Sequence, residues 1–248
     1  MIKQERSVNR DKPQKLYIQL LDIIRERIEA GEWPVGSQIP IEEELCRVYG
    51  VSKATVRFAV LELVRKGYLK RQQGKGTFVC KRVIPEGLTM SSSFKELMLE
   101  HGIAYTTILL AQTVLMPIDD LDVKLEIPEN THVIYIKRLR SVEGEPAVIQ
   151  ESFIPHHICP SLLKEDVVEN SLFELFENKY DITITGVRDF IEVAYSSAGE
   201  SKLLGLPKDS PVLLLEQHFY SGESQIMYMR SVKRPERFRL SIDFKKKE

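Results

Sequence analysis

Two basic pairs are spaced for chemistry. Lys53 and Arg57 lie four residues apart with Ser52 and Thr55 beside them, and Arg138 and Arg140 lie two apart. On a helix the first pair shares a face, and its donors match the O6 and N7 acceptors of guanine in a major groove, while the hydroxyls can bond bases or phosphates. On a strand the second pair points to one side of a sheet, where two guanidinium groups can clamp an oxyanion. A third cluster, Ser91-Ser92-Ser93-Phe94, precedes Lys95 and Glu96. Ser93 and Glu96 have the spacing of a capping box, and a helix start with several hydroxyls also offers donors and a positive dipole end to a phosphate. Taken alone, solvated arginines and an ordinary cap account for both of the last two features.

Competing chemistries find little support. The chain has no Gly-x-Ser-x-Gly, Walker lysine loop, His-Glu-x-x-His or Cys-x-x-Cys. His156 and His157 are adjacent and close to Cys159, but sequence neighbours point apart and nothing completes a ligand set, so they read as loop histidines and neither metal nor cofactor is expected. Cys46, Cys80 and Cys159 are odd in number and widely spaced, which fits a reducing cytoplasm rather than a disulfide framework. No apolar run approaches a membrane span, and the polar start Met1-Ile2-Lys3-Gln4-Glu5-Arg6 lacks the core of a signal peptide.

The elements that must position the basic pairs follow from periodicity. Pro13 opens a helix whose apolar positions Leu16, Tyr17, Leu20, Leu21, Ile24 and Ile28 recur every three or four residues before Gly31. Trp33-Pro34-Val35-Gly36 is a turn, and Glu42, Glu43 and Glu44 suit the positive end of a short helix ending at Gly50. Ser52 then caps a third helix with Val56, Ala59, Val60, Leu63 and Val64 buried, leaving Lys53 and Arg57 on the free face. The short Gly-containing link between the second and third helices is that of a helix-turn-helix. After Gly67 the pattern becomes extended, a hairpin with Gly74-Lys75-Gly76 at its tip, suited to a minor groove or simply to a tight turn.

Charge marks a division that the total of −1 conceals. Residues 1–82 hold 17 Lys+Arg against 10 Asp+Glu, and residues 83–248 hold 18 against 26. A cationic first part faces a polyanion favourably. Lys81-Arg82-Val83-Ile84-Pro85-Glu86-Gly87 has the character of a connector. The expected organisation is a DNA-binding domain at 1–80, a linker at 81–88 and a second domain at 89–248. In the latter we read helices at 93–101, 119–125, 172–178 and 197–204, and extended segments at 105–116, 133–142, 147–154, 182–194, 211–220, 225–232 and 238–244. Residues 143–146 form a hairpin link between the second and third segments. The mixture favours an α+β antiparallel sheet.

The run Leu16-Tyr17-x-Gln19-Leu20, Ile39-Pro40-x-Glu42, Val51-Ser52-Lys53-x-Thr55-Val56-Arg57, Gly67-Tyr68 and Gln73-Gly74-Lys75-Gly76-Thr77-Phe78-Val79 resembles the winged helix-turn-helix of GntR-type bacterial transcription regulators. The family pattern Pro-Ser-Glu is here Pro40-Ile41-Glu42, and Ser-Arg is Ser52-Lys53. The resemblance implies DNA contacts from Glu42, Ser52, Lys53, Thr55, Arg57, Arg71, Gly74, Lys75 and Gly76. Farther on, Ser92-Ser93-Phe94, Arg138-Leu139-Arg140, Glu145-Pro146, Glu151-Ser152-Phe153-Ile154-Pro155 and Ser171-Leu172-Phe173-Glu174-Leu175-Phe176 resemble the effector-binding (UTRA) domain of the HutC branch, which has a chorismate-lyase-like fold.

The second resemblance implies a phosphate site at Ser92, Ser93, Arg138 and Ser171, with Phe94 and Arg140 beside it and Glu151 and Tyr228 as sugar contacts. The whole chain then reads as a cytoplasmic homodimeric regulator on a palindromic double-stranded operator, a repressor of a sugar or amino-sugar operon relieved by a phosphosugar. Two rivals stand beside it: the same regulator with a non-sugar small anion, and a lyase-like enzyme acting on a small acid.

Overall fold

The computed structural model describes residues 7–87 and 93–242 of the chain. They form two compact units that divide between Val83 and Ile84. In the first, α1 (Leu16–Glu29), α2 (Glu42–Tyr49) and α3 (Lys53–Arg65) precede a hairpin of β1 (Leu69–Gln72) and β2 (Gly76–Val79). The apolar stripes meet in one core: Leu20 and Ile24 of α1, Leu45 of α2 and Val56, Ala59 and Leu63 of α3 are fully or almost fully buried, closed by Leu69 and Val79 of the hairpin. Gly50 ends α2 with φ +63°, the left-handed turn that a side chain resists. Ser52 then restarts the chain, its Oγ accepting from the Thr55 N–H at 3.2 Å. The segment before α2 also joins the hairpin, since Ile39 N–H donates to Thr77 O and Val79 N–H to Ser37 O, both at 2.9 Å.

The second unit is built on six strands, β4 (Tyr105–Leu115), β5 (Val133–Val142), β6 (Glu145–Pro155), β7 (Gly186–Tyr195), β8 (Pro211–Ser221) and β9 (Ser224–Lys233). Their order is β4-β5-β6-β9-β8-β7, antiparallel throughout, as the α+β expectation requires. Helix α4 (Phe94–Glu100) opens the unit's helical set, followed by α5 (Leu121–Leu125), α6 (Leu172–Tyr180) and α7 (Ala198–Leu204), with a short 3-10 turn at Pro160–Lys164. One face of the sheet packs Ile134, Ile136, Ile154, Phe219 and Met227 against Phe176 of α6. The opposite face packs Ile149 and Val232 against Leu204 of α7, and Val133 against Leu121 and Leu125 of α5. Apolar burial on both faces fixes strand register, because a slip of one residue would turn every side chain to the wrong side.

Three local readings need amendment. The β5–β6 link is only Glu143-Gly144, both at positive φ (+52° and +81°), so Glu145 and Pro146 belong to β6. Chain near Asp181 turns left-handed at φ +55°, and the extended segment expected from 182 starts at Gly186. Phe238–Ser241 forms β10 outside the six-stranded sheet, paired in parallel with β3 (Ile84–Gly87), which lies within the span read as linker. Residues 243–244 lie outside the described residues.

Ser197 isolates one energetic contribution. It caps α7 by accepting from Glu200 N–H at 3.3 Å, while Glu200 accepts from Ser197 N–H at 2.8 Å. Ser197→Ala is expected to lower unfolding free energy by about 1 kcal/mol, measured as a reduced urea midpoint at unchanged slope.

Candidate functional site

Lys53 and Arg57 stand one turn apart on the exposed part of α3, outside the buried stripe of Val56, Ala59, Val60 and Leu63. Ser52 and Thr55 join their hydroxyls at 2.9 Å at the helix start. Glu42, the first residue of α2, accepts from Arg57 Nε at 3.0 Å and from Arg71 Nη2 of β1 at 2.6 Å, so one carboxylate ties the α3 face to the hairpin. Glu43 pairs with Lys53 at 3.2 Å. The three cations remain about half exposed or more, so these pairs contribute roughly 0–1 kcal/mol each and serve mainly to set side-chain direction.

The hairpin tip separates its two glycines. At Gly76, φ +128°, an added Cβ would fall 2.3 Å from Gln38 Nε2, so the close approach there is made by a side chain of the same unit. Gly74, φ +73°, has open space around it, and Lys75 projects between them in solvent. All nine residues expected to meet DNA therefore fall on α3, the start of α2, or the hairpin.

The second site is a cavity of about 60 Å³, lined among others by Ser93, Phe94, Arg138, Arg140, Gln150 and Ser171. Arg138 is 2% exposed and Arg140 6%. Arg138 donates to Val167 O at 3.1 Å and to Gln150 Oε1 at 2.9 Å. Arg140 reaches the same Gln150 oxygen through Nε at 3.2 Å and Nη2 at 2.9 Å, and Thr107 Oγ1 through Nη1 at 3.1 Å. Its guanidinium lies 4.6 Å from the Phe94 ring centroid. Among the described residues no carboxylate pairs with either arginine, and Arg138 Nε is buried without an acceptor.

Two cations held on neutral partners are electrostatically incomplete. Burial, reinforced by repulsion from Arg140, pushes the Arg138 pKa well down, and burial brings Arg140 to about 10. A dianion placed between them would relieve that cost. Ser93 and Ser171 serve as caps of α4 and α6, their hydroxyl oxygens accepting from Glu96 N–H at 3.2 Å and Phe173 N–H at 3.1 Å. Each still has an O–H to donate at the cavity wall, so the capping role and a ligand role are compatible.

Two of the expected residues, Glu151 and Tyr228, do not reach this cavity. Ser92 lies outside the described residues. Glu151 and Tyr228 project from the opposite face of the sheet, because Glu151 follows the cavity residue Gln150 and Tyr228 precedes the cavity residue Met229. There Glu151 accepts from Tyr135 at 2.7 Å and pairs with Lys137 at 3.1 Å and Arg230 at 3.0 Å; burial opposes its ionisation, but these partners hold its pKa below the usual range. Tyr228 is bound to Glu216. Gln150 was the residue missed, and strict alternation from Arg138, which it faces across the β5–β6 ladder, is the signal that finds it.

His156 and His157 sit in the turn after β6, and among the described residues no group of three His, Cys, Asp or Glu side chains is placed to hold a metal. No helix among them is long and apolar enough to cross a membrane.

Comparison with known proteins joins the two sites. Residues 16–79 match bacterial regulatory proteins of the gntR family, and residues 100–239 match the UTRA domain. The chain is 28% identical to the HTH-type transcriptional repressor NagR of Bacillus subtilis, over 94% of this chain and 96% of that protein. It is 30% identical to the mannosyl-D-glycerate transport/metabolism system repressor MngR of Escherichia coli, over 80% and 82% respectively. The crystal structure of PhnF from Mycobacterium smegmatis superposes with a TM-score of 0.76 at 25% identity, covering 92% of this chain and all of that one. Regulators of this kind bind DNA operators and small-molecule effectors, and they are not enzymes. With a helix-turn-helix face in one unit and an antiparallel α+β sheet in the other, the chain belongs to the GntR family of transcription regulators, in the branch that carries a UTRA domain.

Proposed function

We propose that the protein is a homodimeric repressor that grips a palindromic operator through paired winged units and lets go when a phosphorylated sugar or amino sugar fills the cavity of the second unit. Lys53 and Arg57 read base edges, Ser52, Thr55, Arg71 and Lys75 meet the backbone or minor groove, and Glu42 aims the two arginines it holds. In the second unit Arg138 and Arg140 receive the phosphate, aided by the hydroxyls of Ser92, Ser93 and Ser171 and flanked by Phe94. The observation that carries this reading is the buried arginine pair, held among the described residues on neutral partners only. The relative named for a mannosyl-D-glycerate system supports a sugar derivative as the rest of the ligand.

The switch is a linkage: if the ligand favours a placement of the winged units that the operator does not tolerate, each partner weakens the other by the same factor. A thermal screen tests the ligand class. Phosphorylated hexoses and hexosamines should raise the melting temperature and their unphosphorylated parents should not, a ligand at 100 times its Kd adding about 2.7 kcal/mol. Stabilisation by unphosphorylated parents alone would reject a phosphate ligand. Stabilisation by non-sugar anions alone would replace the sugar.

A further inference from the structure

We propose that the effector carries a second anionic group, a carboxylate or equivalent, and that this group takes Lys233 away from Glu86. The inference rests on the phosphate reading of the arginine pair and extends it to the other end of the ligand. Lys233 closes β9 and its side chain is 6% exposed. Its ammonium forms an ion pair with Glu86 of β3 and lies 5.2 Å from the Phe238 ring centroid of β10. Glu86 and Lys233 line the same cavity as Arg138 and Arg140.

Register sets the spacing of the two cationic ends. Arg140 faces Val148 of β6, and Val148 faces Lys233 of β9, so the three share one row and one face of the sheet. The outer two are about 10 Å apart at the backbone, twice the strand spacing, and their long side chains reach over the apolar Val148 between them. A ligand with one anion at the arginines therefore has a second cation within reach.

That second cation is already taken from inside. One oxygen of Glu86 engages Lys233, whereas the other, Oε2, is buried and has no hydrogen-bond partner among the described residues. Glu86 thus satisfies Lys233 while remaining poorly satisfied itself. Exchange with a ligand carboxylate preserves the counter-charge on Lys233 and lets Glu86 move to water. Asp189, the other carboxylate with an electrostatic influence from Lys233, stays engaged by Gln217 at 3.0 Å. Glu86 belongs to β3, the first element after the boundary between the two units, so the exchange frees a side chain of the strand that continues directly into the chain of the DNA-binding unit.

The test uses full-length protein and isothermal titration with inorganic phosphate, glycerol 3-phosphate and 3-phosphoglycerate, the last two differing at one carbon by a hydroxymethyl or a carboxylate. Wild type should bind 3-phosphoglycerate at least tenfold more tightly than glycerol 3-phosphate. Glu86→Gln should widen that preference about threefold or more by removing the internal competitor. Because Lys233→Met alone leaves Glu86 buried without its partner, the double variant Glu86→Gln/Lys233→Met carries the converse, a preference reduced to within twofold. Equal binding of the two organic phosphates by wild type, or a preference that survives in the double variant, overturns the second anion. No binding of inorganic phosphate or of either organic phosphate overturns the phosphate reading and this inference together, an outcome distinct from binding without preference.

Discussion

Arg138→Met is expected to make the empty protein more stable while abolishing its response to a phosphate ligand. Arg138 is buried beside Arg140, and one of its nitrogens has no acceptor among the described residues. A base whose pKa falls on folding opposes the folded state at neutral pH, because the unfolded chain holds the proton more tightly; for Arg140 that penalty is relieved only as the pH rises above about 10. Replacing a buried ion with an apolar group of similar volume is often neutral or stabilising by about 1–4 kcal/mol. Losing the donor to Val167 O returns part of that, since an orphaned carbonyl costs about 1–3 kcal/mol.

We therefore expect a net gain of about 1 kcal/mol, seen as a higher urea midpoint. Binding should move the other way. Two charge-assisted hydrogen bonds to a phosphate at about 1.5–3 kcal/mol each correspond to at least a hundredfold loss of affinity. A variant that is less stable and still binds phosphate would show that Arg138 is a structural residue.

The other large effect belongs to the first unit. Arg57→Ala should weaken operator binding by about 1–3 kcal/mol, roughly 5- to 150-fold, and should weaken binding to a scrambled duplex much less, because a base contact carries sequence information and a phosphate contact does not. Lys75→Ala, at the hairpin tip, should weaken both duplexes alike and reduce the salt slope by about 1. Anisotropy titrations on the two duplexes at several salt concentrations separate the roles. Equal losses on operator and scrambled duplex for Arg57→Ala would assign Arg57 to the backbone.

Much of this was legible because the decisive signals were local. The helices of the first unit are written in the three- and four-residue recurrence of Leu20, Ile24, Val56, Ala59 and Leu63, all of which are buried. Ser93 announced its helix by capping spacing and indeed caps it. Arg138 and Arg140, two apart on β5, share a face as period two requires. The same period defeated the choice of Glu151: it stands next to the residue that faces the cavity, and in a strand one position is the whole thickness of the sheet.

Other features are long-range and leave no local mark. The parallel pairing of β3 with β10 joins segments about 150 residues apart without a turn to signal it, and it moves Ile84–Gly87 from linker to strand. Glu86 and Lys233 meet across the same gap. Gly76 shows a different limit: a glycine at a hairpin tip tells of close approach but not of what approaches, and here it is Gln38.

Operator affinity of the full-length protein, measured by anisotropy at constant ionic strength with and without the phosphosugar that raises its melting temperature most, tests the coupling of the two units directly. A fall of at least tenfold in wild type, absent in Arg138→Met, is the predicted result. Equal operator affinity with the cavity empty and saturated would contradict it.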